Sequence, residues 1–202
     1  MRRLLPLFGL AVAAGLAPAD AGPAPPGRAR ATFAGGCFWS MEAPFDKVAG
    51  VVSTTVGYAG GTVPSPTYEA VAAGGTGHAE VVQVVYDPAK VTYEKLLQVF
   101  WRNIDPFDAG GQFCDRGSQY RTAVFVEGDE QRRAALASKD RLGKSGRLPG
   151  PIVTEIVPLA AFYPAEPYHQ DYYQRNVRQY WAYSRGCGRE QRLRQLWGEA
   201  AP

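Results

Sequence analysis

The distribution of hydrophobic and polar residues along the chain predicts alternating strands and helices. Runs rich in β-branched and other apolar residues predict strands, whereas apolar residues spaced three or four positions apart predict helices. The predicted strands are residues 31–34, 51–58, 81–86, 121–126 and 152–159, and the predicted helices begin near Cys37, Thr92 and Asp129. The first elements therefore follow the order β-α-β-β-α-β, which is the order of ferredoxin-like sandwiches.

Three segments depart from this pattern. Residues 60–79 and 105–119 show little periodicity, and long loops inside a compact domain are usually functional or disordered. The chain from Ala160 onward is rich in aromatic residues, and we expect it to wrap over the sheet. The predicted fold is therefore α/β (α+β), a two-layer sandwich with a ferredoxin-like core, an extra helix and strand, and an irregular aromatic-rich C-terminal tail.

The N-terminus has the features of an export signal. Two arginines precede an apolar run over residues 4–17, and small residues follow, ending in Ala19-Asp20-Ala21. This is the order found in secretory signal peptides, and the apolar run is shorter than the roughly 20 residues of a membrane span. The predicted organisation is a signal peptide at 1–21, a Pro/Gly/Ala linker at 22–30 and one domain at 31–202. An uncleaved membrane anchor is the less favoured alternative.

Composition narrows the class of protein. The net charge of +3 is small and the arginines are dispersed, which argues against nucleic-acid binding. We interpret the arginine-rich stretch 185–194 as a solvated helix face. The three cysteines and two histidines occur at no zinc-like spacing, so we predict no metal site. An odd number of cysteines in an exported chain favours one disulfide and one remaining thiol.

The segment Gly35-Gly36-Cys37-Phe38-Trp39 places a cysteine where a strand ends and a helix begins. A helix start carries unpaired N–H groups and the positive end of the helix dipole, and both favour an anion. We therefore expect Cys37 to ionise more readily than a free thiol, which would make it a nucleophile. The alternative is a buried cysteine that only fills space in the strand-to-helix turn.

Four polar residues near the long loops are candidates for acid or hydrogen-bond chemistry. Glu80 opens the third predicted strand, and apolar neighbours would favour its neutral carboxyl, which can donate a proton. The phenols of Tyr68 and Tyr120 could donate hydrogen bonds to a developing oxyanion, and Asp115 lies in the second loop. The alternatives are a carboxylate paired with an arginine, packed tyrosine rings, and an aspartate that folds its own loop.

Three separate segments resemble the signature segments of the peptide methionine sulfoxide reductase A family: Gly35-Gly36-Cys37-Phe38-Trp39, Gly77-His78-Ala79-Glu80 and Asp115-Arg116-Gly117-Ser118-Gln119-Tyr120-Arg121. The resemblance implies that Cys37 is the catalytic cysteine and that Glu80 donates a proton. It implies that Tyr68 and Tyr120 bind the substrate oxygen and that Asp115 lies near the site. Phe38 and Trp39 resemble the pocket for the S-methyl group of the substrate.

These residue types also suit sulfoxide reduction chemically. The sulfoxide sulfur is electrophilic, but its oxygen leaves only when protonated. Attack by Cys37 would release methionine and leave a sulfenic acid, which condenses with a second thiol. Cys187 is the expected resolving residue, because flanking glycines would make it mobile and because the family commonly places a recycling cysteine in its tail. Cys114 is the competing candidate, expected to be structural or incidental.

The resemblance also implies a substrate and a reductant. The expected reaction is the reduction of methionine (S)-sulfoxide, free or in oxidised proteins, which would make the chain a protein-repair enzyme. The enzyme would hold no bound cofactor and would need an external dithiol such as a thioredoxin-like protein. We expect a monomer in the periplasm or the extracellular space.

Two other classes of protein stay open from the residues alone. A papain-like cysteine hydrolase also places a cysteine at a helix start, with His and Asn roughly 130–150 residues downstream, where His169 and Asn176 lie. No glutamine precedes Cys37 within the domain to supply an oxyanion donor, which weakens this alternative. The other class is a binding module whose cysteines form only a structural disulfide.

Overall fold

The computed structural model describes residues 24–146 and 149–198, so the predicted signal peptide at 1–21 lies outside the described residues. The strands are β1 (Ala29–Gly35), β2 (Val51–Ala59), β3 (Ala79–Tyr86), β4 (Gly111–Gln112), β5 (Asp115–Arg116), β6 (Thr122–Val126), β7 (Glu155–Pro158) and β8 (Phe162–Pro164). The helices are α1 (Phe38–Asp46), α2 (Tyr68–Ala72), α3 (Tyr93–Arg102), α4 (Asp129–Gly143), α5 (Tyr172–Arg175), α6 (Val177–Gly186) and α7 (Arg189–Trp197).

Six strands form one sheet in the order β7-β6-β1-β3-β2-β8. The four central strands, β6-β1-β3-β2, pair with one another in antiparallel orientation, and α1 and α3 connect them in the predicted β-α-β-β-α-β order. Strand β7 adds to β6 in parallel, and β8 adds to β2 in antiparallel orientation. The predicted ferredoxin-like core of an α/β sandwich is therefore confirmed.

The main hydrophobic core lies between the sheet and helices α1, α3 and α4. Phe33 of β1 is fully buried at its centre, and its ring stacks on Phe45 of α1 at 5.0 Å and on Phe100 of α3 at 5.2 Å between centroids. Burying apolar surface is the main favourable term in folding, so this cluster holds α1 firmly against the sheet. The N-terminal end of α1 is consequently fixed at the end of β1.

Local boundaries differ from the prediction by a few residues. Strand β1 begins at Ala29, inside the predicted linker, because Ala29 and Arg30 pair with Tyr86 and Val85 of β3. Strand β7 spans four residues rather than the predicted 152–159. Thr92 caps α3 as expected, since its Oγ1 accepts a hydrogen bond from the backbone N–H of Lys95 at 3.2 Å.

The segments predicted to be irregular contain regular structure. Helix α2 lies within residues 60–79, and the hairpin β4–β5 lies within 105–119. The prediction of an irregular tail is corrected, because α5, α6 and α7 occupy it. Helix α6 lies in this aromatic-rich segment, although Val177, Tyr180 and Trp181 have the i, i+3, i+4 spacing of a helix, with Trp181 exposed. No helix in the described ranges is long and apolar enough to span a bilayer.

Candidate active site

Two glycines shape the turn from β1 into α1. Gly36 has φ +85°, and a Cβ at this position would lie 2.6 Å from Cβ of Gln112, so the hairpin β4–β5 packs directly against the turn. A Cβ at Gly35 would lie 2.5 Å from Sδ of Met41. Both contacts are too short for any side chain, so only glycine allows β1, α1 and the hairpin to meet here.

Cys37 is the N-cap residue of α1 and the one free cysteine among the described residues. Its side chain is only 6% exposed, and Tyr183 packs against the cluster that contains it. Burial raises the pKa of the Cys37 thiol well above its usual value, and the nearby Glu80 carboxylate raises it further. The expectation of easier ionisation is therefore wrong for this state of the protein.

Glu80 contributes to the raised pKa of the Cys37 thiol. Its Oε2 accepts a hydrogen bond at 2.9 Å from the backbone N–H of Phe38, so this N–H group at the start of α1 serves the carboxyl group rather than the sulfur. Burial raises the pKa of Glu80 to about 8, against the lowering effect of that hydrogen bond. The carboxyl is therefore mostly neutral at neutral pH, as the sequence led us to expect. It forms no ion pair with a described arginine.

Tyr68 and Tyr120 lie in the same electrostatic environment. Tyr68 is the first residue of α2, and Tyr120 ends a short 3-10 turn, Ser118–Tyr120. Burial and then the charge of Glu80 raise both phenol pKa values, to about 12 for Tyr68, with Cys37 adding to each. Neither hydroxyl is hydrogen-bonded within the described part of the chain, so both phenols are available to a ligand oxygen.

Asp115 connects the thiol to the C-terminal tail. Its Oδ2 accepts a hydrogen bond at 2.5 Å from the hydroxyl of Tyr183, the same residue that contacts Cys37. Burial raises the pKa of Asp115. Asp115 therefore does more than fold its own loop. Tyr183 was not predicted as a site residue, because it lies 68 positions from Asp115 and only the packing of α6 brings it here.

Cys114 and Cys187 form a disulfide across 73 residues of sequence. The predicted combination of one disulfide and one remaining thiol is therefore confirmed. Cys114, which we expected to be structural or incidental, is not incidental, because it is bonded to Cys187, and Cys187 does not carry a mobile thiol in this structure. The sulfurs lie 3.8 Å and 3.9 Å from the two Asp115 carboxylate oxygens, so the disulfide lies beside the catalytic residues that the sequence predicted.

Aromatic rings line the other side of the site. Phe38 is 1% exposed, and Trp39 is half-buried with its ring stacked on Tyr172 at 3.8 Å between centroids. The indole N–H of Trp39 donates to Nδ1 of His169 at 3.1 Å, which fixes the orientation of the indole. His169 and Tyr172 lie in the tail, where the sequence indicated no contact with Trp39. The predicted pair Phe38 and Trp39 thus forms an apolar wall whose position the tail determines.

The tail is held over the sheet by polar contacts. Glu166 accepts hydrogen bonds from the backbone N–H of Tyr68 at 2.8 Å and from the Tyr58 hydroxyl at 2.9 Å. The Gln170 side chain accepts from the backbone N–H of Val56 and donates to its carbonyl, at 2.9 Å and 3.0 Å. The bonds to Val56 and Tyr68 satisfy backbone groups of β2 and α2, and all of these contacts keep the aromatic wall in place.

One arginine of the tail is not solvated as predicted. Arg189, the first residue of α7, is 7% exposed, and its guanidinium donates to the Asn103 carbonyl at 2.5 Å. The guanidinium also stacks over the Phe113 ring at 4.6 Å from the centroid. Burial lowers the pKa of Arg189. Arg189 therefore packs the start of α7 against the segment that precedes Cys114.

Two groups of side chains have the composition of possible metal ligands. Cys114, Asp115 and Cys187 form one, but their sulfurs are bonded to each other and are not thiolates. The other consists of the carboxylates Glu42, Asp46 and Asp171, on α1 and at the start of α5. Neither group contains the predicted catalytic thiol.

The papain-like alternative requires a histidine that deprotonates the cysteine. His169 does not fill this role here, because its Nδ1 accepts from Trp39 and its Nε2 lies 4.0 Å from the Glu166 carboxylate. The free thiol instead has a protonatable carboxyl group and phenols as neighbours, with a disulfide close by. This arrangement is typical of an enzyme that carries out thiol redox chemistry rather than hydrolysis.

The chain belongs to the peptide methionine sulfoxide reductase family, since the model of that family, described as "Peptide methionine sulfoxide reductase", matches residues 29–201. It is 52% identical over 171 residues to the peptide methionine sulfoxide reductase MsrA of Bacillus licheniformis, covering 85% of this chain and 94% of that protein. The family predicted from the three sequence segments is therefore confirmed.

Solved structures agree with this assignment. Saccharomyces cerevisiae Mxr1 in reduced form superposes with a TM-score of 0.70 at 35% identity, covering 77% of this chain and 90% of that chain. The structure of the same yeast protein in complex with Trx2 superposes with a TM-score of 0.52 at 28% identity, covering 74% of this chain and 88% of that chain. The fold and the family are thus shown by independent comparisons.

Proposed function

We propose that this protein reduces methionine (S)-sulfoxide, free or within oxidised proteins, to methionine, with Cys37 as nucleophile and Glu80 as proton donor. The observation that carries the proposal is the buried Glu80 carboxyl, which shares the start of α1 with the only free thiol among the described residues. Sulfoxide reduction needs a nucleophile at sulfur and a proton at oxygen, and these two groups supply them from adjacent positions.

The remaining predicted residues fit the substrate around that pair. The free hydroxyls of Tyr68 and Tyr120 would bind the sulfoxide oxygen, where negative charge develops until Glu80 protonates it. Phe38 and Trp39 would enclose the S-methyl group, because a wall of one buried and one half-buried aromatic ring favours an apolar substituent. With the methyl group and the oxygen held at separate places, one sulfoxide epimer presents its sulfur to Cys37.

Release of methionine leaves Cys37 as a sulfenic acid, and a second thiol is needed to reduce it. We propose Cys187 for this step, because it lies one helical turn beyond Tyr183, whose hydroxyl contacts Cys37. Condensation of the sulfenic acid with the Cys187 thiol forms a disulfide and releases water. An external dithiol, which we propose to be a thioredoxin-like protein, then restores the thiols.

The test is a single turnover of racemic methionine sulfoxide by the fully reduced protein, with the two epimers resolved. We expect consumption of the S epimer only, and none by the Cys37→Ser variant. Cys37→Ser keeps the size of the side chain and removes the nucleophile, so it serves as the matched control. Failure of folded, fully reduced wild type to consume either epimer would contradict the proposal.

We also propose that the protein is exported and acts as a monomer in protein repair outside the cytoplasm. The support is the N-terminal sequence, with its arginines, apolar run and small residues before a cleavage point after Ala21. N-terminal sequencing of the mature protein should find Gly22 as the first residue. A mature chain that retains Met1 would exclude cleavage, and size-exclusion chromatography would test the monomer.

A further inference from the structure

The disulfide presents two unlike sulfurs to an external reductant. Cys114 is exposed, whereas Cys187 is half-buried at the end of α6. Thiol–disulfide exchange proceeds by attack on one of the two sulfurs, and its rate depends on access to that sulfur. We propose that Cys114 is the sulfur that the external dithiol attacks, and that Cys187 is the inner sulfur that exchanges with Cys37. This inference rests on the proposed function and assigns the place where its reductant reacts.

The position of Cys187 suits an inner role. Cys187 follows Tyr183 by four residues, so both side chains lie on one face of the end of α6, and both contact the Asp115 carboxylate. Tyr183 also contacts the Cys37 thiol. Cys37 itself is 6% exposed, which shields it from a protein reductant. The oxidising equivalents must therefore move outward from Cys37, and Cys187 is the cysteine placed on that face.

The position of Cys114 suits an outer role. Phe113 and Cys114 form the two-residue tip of the hairpin β4–β5, with Gln112 paired to Asp115. The base of the hairpin is anchored by Gln112, which is fully buried and exchanges two hydrogen bonds of 2.8 Å with the backbone of Asp105. Cys114 is therefore an exposed sulfur on a fixed support, which a protein partner can approach from solvent.

A second contact holds the two cysteine-bearing segments together independently of the disulfide. Arg189, two residues after Cys187, stacks on Phe113, the residue before Cys114, and donates to the Asn103 carbonyl. Because the guanidinium is buried, these contacts are not screened by solvent as surface contacts are. The contact keeps the Cys114 thiol near Cys187 after reduction, so that the disulfide reforms within the chain.

Three thiol–disulfide exchange steps connect Cys37 to the external dithiol. The Cys114 thiolate attacks the Cys187 sulfur of a Cys37–Cys187 disulfide, the Cys114–Cys187 bond forms, and Cys37 leaves as a thiolate. The first thiolate of the external dithiol attacks the Cys114 sulfur, and Cys187 leaves as a thiolate that takes up a proton. The second thiol of the reductant then attacks the mixed disulfide, which releases Cys114 and leaves the reductant oxidised.

The first experiment uses wild-type protein. The protein, oxidised by one equivalent of methionine sulfoxide, is mixed with a thioredoxin whose second active-site cysteine is replaced by serine, and the trapped mixed disulfide is mapped by peptide mass spectrometry. We expect roughly ten times more adduct on Cys114 than on Cys187, because access controls the exchange. An adduct mainly on Cys187 or on Cys37 would overturn the inference.

A variant gives the complementary result. In Cys114→Ser, one equivalent of methionine sulfoxide should leave a Cys37–Cys187 disulfide, and steady-state turnover with intact thioredoxin should fall roughly tenfold or more. Unimpaired turnover of this variant with thioredoxin would overturn the inference. Failure of the wild type to consume methionine sulfoxide at all would instead contradict the proposed function, so the two failures are distinguishable.

Discussion

Two buried glutamate carboxyl groups lie at helix α1, and they differ in what they contact. At its N-terminal end, Glu80 of β3 accepts from the Phe38 N–H beside the free thiol of Cys37. Further along, Glu42 is 1% exposed and faces Asp46, Thr54 and the backbone of Asp171, with one oxygen lacking a hydrogen-bond partner. Burial raises the pKa of both, to about 8 for Glu80 and about 7 for Glu42.

The comparison shows that a buried, protonatable carboxyl group is not sufficient for an acid catalyst. Both carboxyl groups are desolvated, and both have neighbouring carboxylates that raise the pKa further. Only Glu80 shares its environment with a free thiol and with two phenols whose hydroxyls have no hydrogen-bond partner among the described residues. We therefore assign the chemistry to the first place and a structural role, joining α1 to β2 and the tail, to the second.

The largest expected effect comes from Glu80→Gln. Glutamine keeps the size and an acceptor for the Phe38 N–H but cannot deliver a proton, so the single-turnover rate of sulfoxide reduction at pH 7 should fall by roughly 100-fold or more. Glu42→Gln is the matched control and should stay within about twofold of wild type, because it makes the same change away from Cys37. Near-normal turnover by Glu80→Gln would reject the role of Glu80 as proton donor.

The same pair of variants tests the electrostatic link to the thiol. The Glu80 carboxylate raises the pKa of Cys37, so Glu80→Gln should shift Cys37 ionisation to lower pH. The measurement is the pH dependence of Cys37 alkylation by iodoacetamide in the protein with its Cys114–Cys187 disulfide intact. The Glu42→Gln profile should overlay that of the wild type. A shift of equal size in both variants would show that general destabilisation, rather than local charge, controls the thiol.

A smaller effect in the opposite direction is expected for Tyr183→Phe. The interaction with the Tyr183 hydroxyl lowers the pKa of Cys37, so removing the hydroxyl should shift thiol ionisation to higher pH and slow alkylation severalfold at fixed pH. The phenylalanine ring keeps the edge contact with Trp39, so packing is retained. Tyr180→Phe, on the same helix, is the control. Unchanged alkylation in Tyr183→Phe would remove Tyr183 from the site.

The smallest effect concerns stability. Because the pKa of Glu42 is raised to about 7 in the folded protein, the native state binds more protons than the unfolded state between pH 4.5 and about 7. The contribution of Glu42 to the free energy of unfolding therefore falls as pH rises through this window. Glutamine does not ionise, so Glu42→Gln removes this loss of stability. The melting temperature of the variant should therefore exceed that of the wild type by roughly a few degrees at pH 8. Equal pH dependence of the melting temperature in both proteins would contradict this account.

Much of the site was predictable because its key residues carry local signals. Gly36 and Cys37 lie in one short segment at a strand-to-helix turn, and Glu80 opens a strand of apolar residues. Such signals depend on residues a few positions apart, which a sequence displays directly. The same is true of the four central strands and of α3, whose apolar residues repeat with helical spacing.

The contributions of the tail were not predictable in this way. Tyr183, His169 and Arg189 act through contacts with residues far away in the chain. Tyr183 and Arg189 looked like ordinary helical residues, and His169 was a candidate only for the hydrolase alternative. The disulfide partner of Cys187 also depended on where the β4–β5 hairpin lies relative to α6. No local pattern encodes such distances, because they result from packing of the whole domain.

The sequence by itself determined the family and the core topology, and it indicated the nucleophile and the acid that we propose, because these depend on residue type and short-range spacing. Only the tertiary structure decided the ionisation and the redox arrangement of the site. The Cys37 thiol was expected to ionise easily at a helix start, yet burial and the charge of Glu80 raise its pKa. Burial and long-range contact are properties of the folded chain, so they set the chemistry that the local motif only makes available.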